Sequence, residues 1–216
     1  MTRTGDVIEN PVTGERIVFV ETAADTGGER LKIDLHLAPN AHNAASHCHA
    51  EQLERIAIVE GELRIVVGDA DARTLRAGED VLLPPGVPHV WWNESGAPAR
   101  VMIEYEPALN TEEFFQSFFA LGRDGRTDAK GAPTFLQLIV MSRHFEIYDG
   151  RAPVWLQRVV STLLEPLAHA LGYRADYVSS GTRAMTGPSV TVGIAGGLDL
   201  ESTISWSIGG GRRPRD

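Results

Sequence analysis

Apolar residues recur at every second position along the first half of the chain, and at every third or fourth along much of the second half. Arg16-Ile-Val-Phe-Val-Glu21 reads as a strand, and Leu31, Ile33, Leu35 and Leu37 then alternate strictly with Lys32, Asp34 and His36. That parity puts His36 on a polar, solvated face. Alternation resumes at Glu54, Ile56 and Ile58, and further strands read from Leu63–Val67, Val81–Leu83, His89–Asn93 and Arg100–Glu106. Turn signals separate them at Gly27-Gly28, Glu60-Gly61, 68–71, Pro84-Pro85-Gly86 and 93–98. Short strands at this spacing predict an all-β sandwich or barrel of antiparallel strands.

At Pro107 the period lengthens to about 3.6 residues. Asn110 with Glu113 resembles an N-capping arrangement, followed by an apolar stripe of Phe114, Phe115, Phe118, Phe119 and Leu121. Pro133 starts a second helix, Thr134 to about Tyr148. Pro153 starts a third, whose apolar positions run from Trp155 through Val159, Leu163 and Leu167 to Leu171. Pro166 is expected to kink it, and Gly172 suits its C-terminal cap. Stripes of this size predict burial against the barrel or a second subunit. The phenylalanine stripe, following the last strand so closely, either forms a wall at the barrel's rim or fills out the core. The expected division is a β-barrel at 1–108, a helical extension at 109–175, and a weakly structured tail or added strands at 176–216. Residues 189–194 and 202–208 are the candidate strands.

Composition narrows the function. The net charge of −9 argues against nucleic acid or an anionic membrane surface, which need clustered Lys and Arg. Cys48 is the only cysteine, so an intramolecular disulfide is impossible and a reducing compartment is expected. The first fifteen residues are polar, and no stretch approaches the ~18 apolar residues of a spanning helix. The expected location is cytoplasmic.

The candidate chemistry lies between residues 47 and 93. In an extended strand His47 and His49 point the same way and Cys48 points away. With Glu54 and His89 they make three imidazoles and a carboxylate, a set suited to one divalent transition metal (Fe, Mn, Ni, Zn or Cu). Structural zinc sites favour cysteine, which this arrangement turns aside. Glu51 competes with Glu54 as the carboxylate. His42, in the loop before His47, reads as surface. Trp91 shares the His89 face and lines either a pocket or the core. Of Glu104 and Tyr105, which lie on opposite faces, one reaches the cavity.

The spacing His47-Cys48-His49, Glu54, Gly61, then Gly78, Pro84, Gly86, His89 and Asn93 resembles the two motifs of the cupin superfamily. A glycine usual about six residues before the first histidine is Ala41 here. The resemblance covers about the first half of the chain. It implies a mainly β cupin jelly-roll (double-stranded β-helix) barrel, here with a C-terminal α-helical extension, and a metal on His47, His49, Glu54 and His89. With six residues between the carboxylate and Gly61, the resemblance implies Glu54 rather than Glu51. Open coordination positions on such a metal admit dioxygen or a bidentate substrate. The expected activity is that of a metal-dependent, dioxygenase-like enzyme on a small organic molecule. The alternatives are a non-catalytic binding or sensing protein and an isomerase or lyase. The expected partners are that small molecule and a second copy in a homodimer, with no nucleic acid and no membrane. A fold alone names no reaction.

Overall fold

The computed structural model of the chain describes residues 2–41 and 45–177. His42, the candidate strands at 189–194 and 202–208, and nearly all of the 176–216 tail lie outside these residues.

Two antiparallel sheets carry the first half. The strands are β1 (Val7–Glu9), β2 (Arg16–Glu21), β3 (Leu31–Leu37), β4 (His47–His49), β5 (Leu53–Glu60), β6 (Glu62–Val67), β7 (Arg73–Arg76), β8 (Asp80–Leu83), β9 (His89–Trp92) and β10 (Ala99–Glu106). A late strand, β11 (Ile147–Asp149), completes the set. One sheet has the order β1-β2-β3-β10-β5-β8 and the other β11-β4-β9-β6-β7. The protein is thus a mainly β jelly roll with helices in its C-terminal region. Among the described residues the two sheets remain separate ladders and do not close into one ring.

The alternation in sequence becomes the core directly. Ile103 lies opposite both Ile33 and Ile56, and Val101 opposite Leu35 and Ile58. All six are buried in the main apolar cluster with Phe19, Leu63 and Ile65. The opposite parity faces outward: Lys32 pairs with Glu104 at 2.7 Å, and Arg100 grips Asp34 through two nitrogens. His36 lies on this outer face too, 3.4 Å from Asp34.

Four helices accompany the sheets: α1 (Ala23–Thr26), α2 (Thr111–Arg123), α3 (Phe135–Phe145) and α4 (Val154–Ala170). The four-residue α1 is too short to show a period; Asp25 closes it by accepting bonds from the backbone and hydroxyl of Thr22. Asn110 does precede α2, but its side chain makes no cap. It donates instead to the His144 carbonyl, tying α2 to α3. The second helix stops short of the expected Tyr148. Glu146 takes a left-handed conformation (φ 54), and the chain leaves as β11, which pairs antiparallel with β4. Helix α4 continues through Pro166. Of its apolar positions, Leu156 and Val160 face the chain's own cavity, while Trp155, Val159, Leu163, Leu167 and Leu171 are exposed and do not pack on the barrel, which leaves a second subunit as the expected cover.

Gly61 marks where one sheet passes to the other. It has φ +77, and a Cβ there would sit 2.7 Å from the Pro98 carbonyl oxygen. Gly68, at φ +58, faces open space. Gly68→Ala is expected to cost about 1–2 kcal/mol, the left-handed penalty alone. Gly61→Ala should cost more, because backbone must also shift. Urea midpoints of the two variants check this; equal losses would remove the close approach as a cause.

Candidate functional site

Three strands deliver the four expected side chains to one place. β4 supplies His47 and His49, β5 supplies Glu54 and β9 supplies His89. His47 lies directly opposite His89 in the ladder. One donor atom from each of the four lies within 4.8 Å of all the others. His49, Glu54 and His89 are buried, and His47 is partly so. Cys48 faces away, buried on the other side of β4.

The other nitrogen of each ring fixes its tautomer. His47 Nδ1 faces the Ala45 carbonyl at 3.3 Å and His89 Nδ1 the Val87 carbonyl at 3.1 Å. His49 Nδ1 faces the Gln52 amide oxygen at 3.2 Å. That amide cannot be turned round, because its nitrogen is surrounded by the Pro107 and Ala108 carbonyls and the Thr111 hydroxyl. All three partners are acceptors, so each Nδ1 carries the proton and each neutral ring offers a bare Nε2.

Those bare nitrogens converge on a carboxylate. His89 Nε2 lies 2.9 Å and His49 Nε2 3.3 Å from the same Glu54 oxygen, Oε2. Close as they are, neither pair is aligned as a hydrogen bond, and all three atoms lack a hydrogen-bond partner among the described residues. Buried lone pairs left in this way are costly, and a cation held between them removes the cost. The donor set and its orphaned atoms therefore fit a divalent metal.

The electrostatics point the same way. Burial opposes charge on Glu54, yet His49 and His89 hold its carboxyl well below the usual range. Burial also opposes charge on His89, and Glu54 outweighs it, raising that imidazole. His47 is pushed down to about 3 by burial and by the two neighbouring imidazoles. Tyr105 donates to Glu54 Oε1 at 3.2 Å, and burial together with that carboxylate keeps its phenol protonated well above its ordinary value.

The sequence alternatives are thereby resolved. Glu51 lies at the surface and pairs with Arg158, leaving Glu54 as the carboxylate. Tyr105 faces inward and Glu104 outward. Trp91 is buried and also lines the cavity. Asn93 clamps its own turn, donating to the Ala38 and Ala97 carbonyls. The left-handed residue before the first motif is Asn40 (φ 57), so Ala41 needs no glycine. In the sequence Gln52 only flanks the ligand set with Glu51 and shows no role of its own; nothing in its spacing reveals the loop after β10 that holds it.

Above the four side chains lies a cavity of about 410 Å³, lined mainly by apolar groups. Phe114, Phe115 and Phe118 of α2 and Leu156 and Val160 of α4 form much of its wall. Phe115 packs against Tyr105, with ring centroids 6.1 Å apart. The helical extension thus reaches the candidate site itself.

Comparison with known proteins agrees with this architecture. Residues 34–105 match the family described as the Cupin domain. The chain carries a cupin domain. All four candidate ligands fall inside it, whereas the helical wall falls outside. Among solved structures, the cupin domain is similar to an RmlC-like cupin from Shewanella frigidimarina (19% identity, 52% of this chain and 92% of that one, TM-score 0.43). It is similar also to a sugar phosphate isomerase of the cupin superfamily from Silicibacter pomeroyi (23%, 48% and 69%, TM-score 0.39). A third likeness is to the polyketide cyclase RemF from Streptomyces resistomycificus (20%, 49% and 78%, TM-score 0.41). No curated protein matches the chain.

The tautomer argument is testable without metal. In ¹⁵N spectra of metal-free protein, His49 is expected in its Nδ1–H form. Gln52→Leu should erode that preference and, by stranding buried carbonyls, cost about 1–3 kcal/mol of stability. An unchanged His49 tautomer in the variant would show that Gln52 does not set it.

Proposed function

We propose that the chain is a metal-dependent enzyme acting on a small organic molecule, with dioxygenase-like chemistry as the reading that the site supports best. The observation that carries it is a largely buried set of three imidazoles and one carboxylate, of which His47, His49 and Glu54 line a mainly apolar, partly open cavity. His47, His49, Glu54 and His89 would hold the ion. When bound, a divalent transition metal supplies Lewis acidity and, if redox-active, electrons.

The chain's own groups have distinct tasks. Gln52 and the Ala45 and Val87 carbonyls aim the imidazoles. The Tyr105 hydroxyl holds Glu54 Oε1, which fixes the carboxylate's rotation and leaves Oε2 for the ion. The phenylalanines of α2 exclude water from the space above, strengthening electrostatic interactions within it.

Assembly and location belong to the same reading. The exposed α4 stripe is symmetric in spacing about Leu163, so antiparallel docking of a second copy sets Trp155 against Leu171 and Val159 against Leu167. Its charged neighbours already have partners within the chain: Arg158 with Glu146 and Glu51, and Glu165 with Arg143. A homodimer through α4 buries the stripe without stranding these charges. A cytoplasmic location is supported by the lone, buried Cys48. No helix among the described residues is long and apolar enough to cross a membrane.

Metal analysis of the purified protein is expected to give about one divalent ion per chain. His49→Ala and His89→Ala should each lose it while the β-sheet circular dichroism persists; full occupancy in both variants would end the assignment. Oxygen uptake by the iron-loaded protein over phenols, diketones and thiols tests the reaction class. Saturable binding without uptake or product would identify a binding protein instead.

Leu163→Glu is expected to shift the sedimenting species from dimer to monomer at micromolar concentration. A monomeric wild type would overturn the α4 dimer.

A further inference from the structure

The cavity carries a second polar group that the metal reading does not use. Glu15 immediately precedes β2, where parity turns Ile17 and Phe19 inward, and both of these are buried. Glu15 shares their parity and lines the same cavity as the imidazoles. Thr13 donates its hydroxyl to Glu15 Oε2 at 2.7 Å. Burial pushes the Glu15 carboxyl up, with the Thr13 bond opposing.

The ladders separate the two ends. Arg16 pairs with His36, so one step further sets Glu15 level with Leu37. Leu37 pairs with Ala99, and Leu31 with Tyr105. Six residues of strand therefore divide the Glu15 level from the Tyr105 level, roughly 20 Å between backbones. Side chains from both levels line the one cavity. Helix α2 bridges it, with Phe115 beside Tyr105 and Phe119 one turn on, in the main core. More than half of the aromatic side chains among the described residues line this one cavity.

We propose that the cavity takes an aromatic ligand with a polar group at each end, one meeting His47, His49, Glu54 and His89 and the other, a hydroxyl or carbonyl, held by Glu15. Edges and faces of the phenylalanines suit offset or edge-on contact with a flat ring. A volume of about 410 Å³ suits a ring system of two or three rings. A carboxyl in a mainly apolar wall discriminates, because a ligand hydroxyl set beside it gains a charge-assisted hydrogen bond that an unsubstituted ring lacks. The metal end of this assignment rests on the proposed function; the Glu15 end does not.

The test is a hydroxamate series on the zinc-loaded full chain, followed by calorimetry. Acetohydroxamate, 2-naphthohydroxamate and 6-hydroxy-2-naphthohydroxamate share one chelating head. The naphthyl compounds are expected to bind at least about 100-fold more tightly than acetohydroxamate, through apolar burial. The 6-hydroxyl should add about tenfold in the wild type. Glu15→Leu should abolish that increment while leaving 2-naphthohydroxamate unchanged, and the near-isosteric Glu15→Gln, which tolerates the same packing, should reduce it severalfold. Phe118→Ala should weaken only the naphthyl compounds. Equal binding of acetyl and naphthyl heads, or a hydroxyl increment that survives both Glu15 variants, overturns the proposal. If the chain binds no zinc, the metal reading fails separately. Binding of 2-naphthol and 2,6-dihydroxynaphthalene to the metal-free chain then decides the aromatic pocket and Glu15 alone, by the same hydroxyl increment.

Discussion

The burial of Glu54 is the constraint on which the site and its surroundings depend. A carboxylate 1% exposed costs several kcal/mol unless its charge is met. Tyr105 of β10 meets one oxygen, and the other faces His49 of β4 and His89 of β9, whose bare nitrogens converge on it where a cation would sit. Each of those residues is placed by pairing register as well as by alternation. A slip of one residue along β5 would bring Arg55 to the interior and remove every one of these contacts at once. Strand order, register and site are in this sense one requirement.

The helical extension answers to the same centre. β11 pairs with β4 residue for residue, Ile147 against His49 and Asp149 against His47, so the ligand strand is not a free edge. Arg158 of α4 reaches Glu51, Glu146 and the Tyr148 hydroxyl, joining α4 to both of those strands. Phe114 and Phe118 stack at 5.6 Å and Phe114 meets Phe145 edge-on, linking α2 to α3 above the cavity. The phenylalanine stripe therefore does not choose between wall and core. Phe119 belongs to the main cluster, whereas Phe114, Phe115 and Phe118 are only partly buried and line the cavity.

Much of this was legible in the sequence because a period of two fixes sidedness. It set His47, His49, Glu54 and His89 apart from Cys48 and Val90, and the family's spacing to Gly61 preferred Glu54 over Glu51. The same rule could have chosen Tyr105 over Glu104, since Val101, Ile103 and Tyr105 form the apolar parity of β10. It could also have flagged Glu15, a carboxylate on the inward parity of Ile17 and Phe19. Other features left no such trace. β11 is three residues long at the end of an apolar helical run, where Glu146 alone reverses the conformation. Gln52 has no periodic signature, because its partners come from a loop more than fifty residues later. The cover of α4 left no trace for a different reason: an apolar stripe shows that a surface wants covering, not whether its own chain or a second copy covers it.

Gln52 joins these strands of the argument. Its amide oxygen orients the His49 imidazole, and its nitrogen binds the Pro107 and Ala108 carbonyls and Thr111 at the start of α2. One buried side chain thus holds both a ring of the candidate site and the root of the helix that walls the cavity. The barrel and the extension are consequently poor units to separate. Cutting the chain at Glu106 would remove the acceptors that hold Gln52, free its amide to turn, and release the constraint on the His49 tautomer. Loss of metal from such a fragment would then report a disoriented imidazole as readily as a missing wall. Substitutions at Phe115 or Phe118, which leave the Gln52 junction intact, separate the wall from the metal set where truncation cannot.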